Sequence, residues 1–176
     1  NNFYYYHLSL PFMGYWTISQ GYDGNITHNG DWGKALDFVI TNKENKTYQG
    51  SGSTPEEYYC YNKPVVSPAD GVVAEIIDHI EDNPIGGNNV QQNWGNTIVI
   101  KHAEGLYSKL SHLKKDSFKV AKGSFVKKGK IVAACGNSGR SPEPHLHFQV
   151  QATPYFDSKT MEYPLAYFIE LKERSE

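Results

Sequence analysis

A mainly β fold, antiparallel and sandwich-like, with one short helix at its C-terminal end, is what this sequence predicts. Three observations predict it. Short runs rich in β-branched and aromatic residues recur along the chain, Gly, Asn and Pro separate them, and only the last segment has a helix-like start and a charged tail. In order, WTISQ (16–20), KALDFVI (34–40), PVVS (64–67) and GVVAEII (71–77) read as strands. NTIVIKH (96–102), LYSKLSHL (106–113), KIVAAC (130–135) and HLHFQVQ (145–151) continue the pattern. EYPLAYFIELKERSE (162–176), with Pro164 near its start, reads as the helix. Two connections are long enough to stand out, Thr41 to Lys63 and Asp78 to Gly95, and long connections often carry function. A chain of 176 residues can bury one good core, and residues 1–176 are read as one domain with no internal repeat.

Composition narrows the classes of function. A formal net charge of −2 argues against broad electrostatic binding to nucleic acid. No apolar stretch approaches the roughly 20 residues that a membrane-spanning helix needs. The chain begins with Asn1, so the expectation is that a signal, an anchor or a larger N-terminal region has been removed. Cys60 and Cys135 have no metal-type spacing, and both a disulfide and two free, buried thiols fit them. Between Lys109 and Lys130 lie eight lysines and a single acid, Asp116. A solvated basic face is the plain interpretation, and contact with an anionic wall polymer is the functional one.

The chemistry sits in two separated motifs, PHLHF (Pro144 to Phe148) and THNGDWGKALDF (Thr27 to Phe38). Side chains alternate along an extended strand, so His145 and His147 face the same way, about 6.6 Å apart. A His-x-His pair alone is more often a partly buried polar pair than a metal site. A catalytic zinc takes three protein ligands and keeps an open position, and histidines with a carboxylate are a usual set. His28 and Asp37 can complete it.

GNSGRSPEPHLHFQV (Gly136 to Val150), LYSKLSHL (Leu106 to Leu113), and ALDF followed by PVVSPADGVV (Pro64 to Val73) resemble the LytM/lysostaphin-type zinc endopeptidases, which are peptidoglycan hydrolases. The order of these motifs matches as well, and the resemblance covers roughly residues 15 to 168. It implies a β-sheet-lined substrate groove flanked by loops, with His28, Asp37 and His147 as ligands of one zinc. His112 and His145 then correspond to the catalytic pair, and Tyr22 resembles a tyrosine that contacts the developing oxyanion, with aromatic packing as its plain alternative. In the commonest form of the first motif the aspartate lies four residues after the histidine, where this chain has Trp32. Asp37, on the ALDF strand, is preferred over Asp31, which sits in a Gly-rich turn where a turn-forming aspartate is the default.

Zinc lowers the pKa of a bound water from about 15.7 to about 7 and polarises a carbonyl, which suits amide hydrolysis. His112 and His145 can then take the water proton and stabilise charge, in an order the sequence leaves open. The resemblance implies a bacterial, extracytoplasmic enzyme cutting peptidoglycan cross-links or stem peptides. The alternative is a noncatalytic LytM-like module that binds wall or activates a partner amidase, although such modules typically lose residues that this chain retains. A phosphocarrier-like domain using paired histidines leaves Asp37 unexplained. His102 reads as a strand-end surface histidine, and His7 and His79 have no matching motif.

Overall fold

The computed structural model describes residues 6–171. Its strands are β1 (Thr17–Gln20), β2 (Ala35–Val39), β3 (Pro64–Val66), β4 (Gly71–Ile77), β5 (Asn96–Ala103), β6 (Leu106–Leu113), β7 (Phe125–Val126), β8 (Ile131–Ala134) and β9 (Leu146–Gln151). Each predicted run is a strand, and β7, two residues long, was too short to show a pattern. Seven strands form one antiparallel sheet in the order β1-β2-β9-β6-β5-β4-β7, and β3 and β8 pair separately.

Alternation along β9 explains the layering. Leu146, Phe148 and Val150 enter the apolar core with Leu36 and Phe38 of β2, Leu110 of β6, and Ile98 and Ile100 of β5. The β3–β8 pair closes that core through Val65, Val132 and Ala133, giving the sandwich-like arrangement. Near the N-terminus Leu8 and Phe12 join in, Phe12 meeting Phe38 edge-on at 4.8 Å between ring centroids. Intervening residues face the other side of the sheet, where Asp37, His147, Gln149, Gln151, Lys109, Ser111 and Thr97 are all buried. A buried polar face requires partners, and loops supply them.

One supplier is the 78–95 connection. Asn96, fully buried at the start of β5, donates to the carbonyls of Ile80 and Leu113 and accepts from the Ile80 N–H. Asn83 donates to the carbonyls of Gly139 and Ser141, tying the same connection to the loop before PHLHF. The two backbones meet at Gly95 and Gly139, both at positive φ, where a Cβ on either would come within 2.4 Å of the opposite loop. The 41–63 connection is built differently. The Glu57 carboxylate accepts from the backbone N–H groups of Ser51, Ser53 and Thr54, and Cys60 packs behind the site with its thiol on the Pro144 carbonyl at 3.2 Å. Cys60 and Cys135 are both buried free thiols.

Three expectations need correction. The C-terminal helix is absent from residues 162–171, and its last residues lie outside the described ones. Leu165 bridges Leu8 instead, Ala166 donates its N–H to the Leu8 carbonyl, and Tyr167 stands at φ 61°, so pairing with the N-terminal segment replaces the helical ladder. Lys109 belongs to no basic surface, being fully buried, while Lys115 and Lys122 are paired with Glu81 and Glu75. His102 is buried rather than superficial, held between the Asp70 carbonyl and the Ser108 hydroxyl at 2.8 Å each. No helix among the described residues is long and apolar enough to cross a membrane.

Candidate metal centre and active site

Register brings the two motifs together. Asp37 on β2 lies directly opposite His147 on β9, which lies opposite Ser111 on β6, next to His112. His28 arrives from the loop after β1, where the Gln20 side-chain oxygen accepts from the N–H groups of Ile26, Thr27 and His28, and the Gln20 amide donates to Asp37 Oδ2 at 2.9 Å. His28, Asp37 and His147 each offer one ligand atom, and these atoms lie within 4.8 Å of one another. All three side chains are buried.

Each surrounding histidine is anchored on an oxygen through one ring nitrogen. His28 Nδ1 donates to the Gly21 carbonyl at 3.1 Å, and His112 Nδ1 to the Ser138 carbonyl at 2.8 Å. His145 Nδ1 donates to the Glu143 carbonyl at 2.9 Å, and His147 Nε2 to Gln149 Oε1 at 2.9 Å. These acceptors assign the tautomers, and the opposite nitrogens carry lone pairs. His28 Nε2 then faces Asp37 Oδ2 at 3.2 Å and His147 Nδ1 faces Asp37 Oδ1 at 3.0 Å. Although His28 Nε2 is that close to a carboxylate oxygen, it is buried without a well-formed hydrogen bond. Lone pairs facing a buried carboxylate at such distances need a cation between them. Two imidazole nitrogens and a carboxylate suit zinc, so the residues present fit a metal.

The electrostatics of the cluster favour positive charge at that point. Burial pulls the His28 pKa down, but the Asp37 carboxylate beside it outweighs this and leaves it raised. Asp37 itself, although burial favours its neutral form, is held well below the usual carboxylate range by His147 and His28. His112 behaves oppositely. Burial, reinforced by His145 and His147, pushes its pKa well below 6.5, so the ring is neutral at pH 7 with Nε2 available. Its backbone stands at φ 60°, a conformation a non-glycine residue rarely holds at a strand end. The ring lies 4.6 Å from that of His145, whose Nε2 is 4.0 Å from Asp37 Oδ1.

Beside the cluster lies an open cleft of about 500 Å³, lined by Glu75, Trp94, Pro154, Tyr155, Phe156 and Asp157. The Trp94 ring is 5.2 Å from that of His147. Under it, Lys109 places its amine 3.1 Å from the Trp94 ring centroid and donates to the Phe156 carbonyl at 2.6 Å. Burial pushes the Lys109 pKa down to about 6, against the pull of Asp157. Of the two long connections, 78–95 reaches the cleft through Trp94. The wall at 154–157 had no signal in the sequence beyond Pro154.

The other candidates fall elsewhere. Asp31 sits in a 3-10 turn with its carboxylate on Lys159 at 2.9 Å, away from the cluster. Tyr22 packs against the apolar core, its pKa raised by burial and by Glu162, with Tyr163 and Lys34 around it. His79 pairs with exposed Asp116, and together with Asp78 forms a second group of possible ligand atoms at the surface.

Comparison with known proteins accounts for much of this. The model of peptidase family M23 matches residues 58–159, which takes in His112, His145 and His147 but stops short of His28 and Asp37. The chain is 32% identical over 96 residues to the cell division protein DipM of Caulobacter vibrioides, covering 54% of this chain and 14% of DipM. It is 37% identical over 87 residues to the peptidoglycan DD-endopeptidase ShyB of Vibrio cholerae, covering 49% of this chain and 17% of ShyB. The chain thus spans less than a fifth of the length of either relative. A zinc-containing peptidase from Vibrio cholerae superposes with a TM-score of 0.57 at 23% identity, over 92% of this chain and 41% of that one, which shows a shared fold. The family match covers more than half of the sequence and holds both histidines of PHLHF, and the chain belongs to peptidase family M23.

Proposed function

We propose that this chain is a zinc-dependent endopeptidase that hydrolyses peptide bonds in peptidoglycan cross-links or stem peptides, outside the cytoplasm. The observation that carries this reading is the convergence of two imidazole lone pairs on the buried Asp37 carboxylate, with His145 Nε2 4.0 Å from the same carboxylate and the His112 ring next to that of His145. ShyB, a peptidoglycan DD-endopeptidase by name, supports the substrate class.

His28 through Nε2, Asp37 and His147 through Nδ1 would hold the zinc. Bound there, the metal supplies Lewis acidity toward a carbonyl and lowers the pKa of water. Neutral His112 accepts the proton of the attacking water at Nε2, while its Nδ1–H stays on the Ser138 carbonyl and fixes the ring. His145 is the more accessible of the pair, with its side chain 17% exposed. Its ring, 4.6 Å from that of His112, steadies charge developing on the substrate, and the proton that His112 takes up passes to the leaving amine. The cleft past Trp94 receives the peptide on one side of the cluster. Tyr22 packs against the apolar core, which supports its aromatic-packing alternative. Exposed lysines beyond β6 are what remains for contact with an anionic wall polymer.

Digestion of purified peptidoglycan by zinc-loaded protein, with products separated and identified by mass, tests this. Cross-linked fragments should be converted to uncross-linked or shortened ones, the conversion should stop with a chelator, and added zinc should restore it. Zinc-loaded protein that binds sacculi and releases no fragments would instead establish the noncatalytic module.

A further inference from the structure

His147, Gln149 and Gln151 occupy alternate positions of β9 and are all buried on the site face of the sheet. Their side chains form one hydrogen-bonded row. Gln149 Oε1 meets His147 Nε2 at 2.9 Å, and Gln149 Nε2 donates to Gln151 Oε1 at 2.9 Å and to the Ser158 carbonyl at 3.4 Å. Gln151 Nε2 donates to the carbonyls of Thr153 and Tyr155 at 2.8 and 2.7 Å. The row has a direction. Two backbone carbonyls can only accept, so Gln151 must turn its NH2 toward them and its oxygen toward Gln149. Gln149 must then turn its NH2 toward Gln151 and its oxygen toward His147. His147 is left to carry its proton on Nε2. Reversing any amide would set two buried acceptors against each other.

This matters because Asp37 pulls the other way. Its carboxylate, 3.0 Å from His147 Nδ1, favours a proton on that nitrogen, which would remove the lone pair a metal needs. We infer that Gln149 and Gln151 are positioning residues that transmit the conformation of the 153–158 loop to His147, holding its Nδ1 lone pair toward Asp37. The inference rests on His147 being a metal ligand, and it adds that a cleft wall, Tyr155 and Phe156 included, is coupled to metal affinity. Gln151 touches no ligand, so a merely local effect would not involve it.

Three variants separate the possibilities. Gln149→Met and Gln151→Met keep the length of the side chain and remove the polar atoms, and His147→Ala tests the ligand itself. Zinc affinity, read by competition with a chelating indicator, should fall about 10- to 100-fold in both glutamine variants, the usual range for an outer partner of a ligand. Nitrogen chemical shifts of the His147 ring in metal-free protein at about pH 9 should report an Nε2–H tautomer in the parent chain. The same measurement should show a shift toward Nδ1–H in Gln151→Met. If a methionine variant folds poorly, Gln151→Glu, whose carboxylate still accepts from Gln149 Nε2, should keep the Nε2–H tautomer, and a shift to Nδ1–H there overturns the relay. Unchanged zinc affinity in Gln151→Met together with an unmoved His147 tautomer overturns the relay. Zinc retention in His147→Ala overturns the ligand assignment instead.

Discussion

His147→Ala should lose bound zinc and with it all peptidase activity, whereas His112→Ala should keep the zinc and lose about 100-fold or more in turnover. The first change removes one of three ligand atoms from a buried site and leaves only Asp37 and His28 of the set. His112 stands at the rim of the cluster, its ring 5.9 Å from that of His147, and removing it takes away a proton acceptor while the ligand set stays intact. Zinc content by mass spectrometry of the native protein, measured alongside turnover, distinguishes the two. Loss of zinc from His112→Ala with retention in His147→Ala would reverse the roles. His28→Ala and Asp37→Asn should follow His147→Ala. That comparison is the more informative because the family match does not reach these two positions.

Lys109→Met should flatten the pH dependence of stability between about pH 7 and pH 9. The folded-state pKa of this amine is pushed down to about 6, from an ordinary value of 10.5. Between those values the folded protein holds a neutral amine and the unfolded chain a charged one, so folding releases a proton and stability rises with pH. Below about pH 6 both states are charged and the full penalty of burying the ammonium is present. One proton of difference corresponds to about 1.4 kcal/mol per pH unit, and this slope should be missing from the variant. Chemical denaturation of both proteins at matched pH values measures it. Equal slopes would mean that Lys109 stays charged against the Trp94 ring. Loss of the amine also frees the Phe156 carbonyl, so Lys109→Met should alter cleft binding even where it stabilises the fold.

Much of this molecule was legible because its strands alternate cleanly. Leu146, Phe148 and Val150 against His147, Gln149 and Gln151 announce a two-faced strand, and the His-x-His spacing follows from that period. The choice of Asp37 over Asp31 was open to the same logic, since a strand aspartate opposite a strand histidine is held in place whereas a turn aspartate is free to pair with Lys159. What failed did so where tertiary contacts overrode local signals. The apolar run after Pro164 has a helical look, but Ala166 finds its partner in Leu8, far away in sequence. Lys109 reads as surface because lysine is seldom buried, and only the Trp94 ring and the Phe156 carbonyl make its burial tolerable. Gln149 and Gln151 carry no motif. Their role comes from carbonyls of a loop that the sequence does not place.

The central claim is that His28, Asp37 and His147 together hold one zinc ion. Anomalous diffraction at the zinc edge from crystals of zinc-loaded protein tests it most directly. A single strong peak among His28 Nε2, the Asp37 carboxylate and His147 Nδ1 is expected. A peak at Asp31, or at Asp78, His79 and Asp116 with the buried cluster empty, would contradict it.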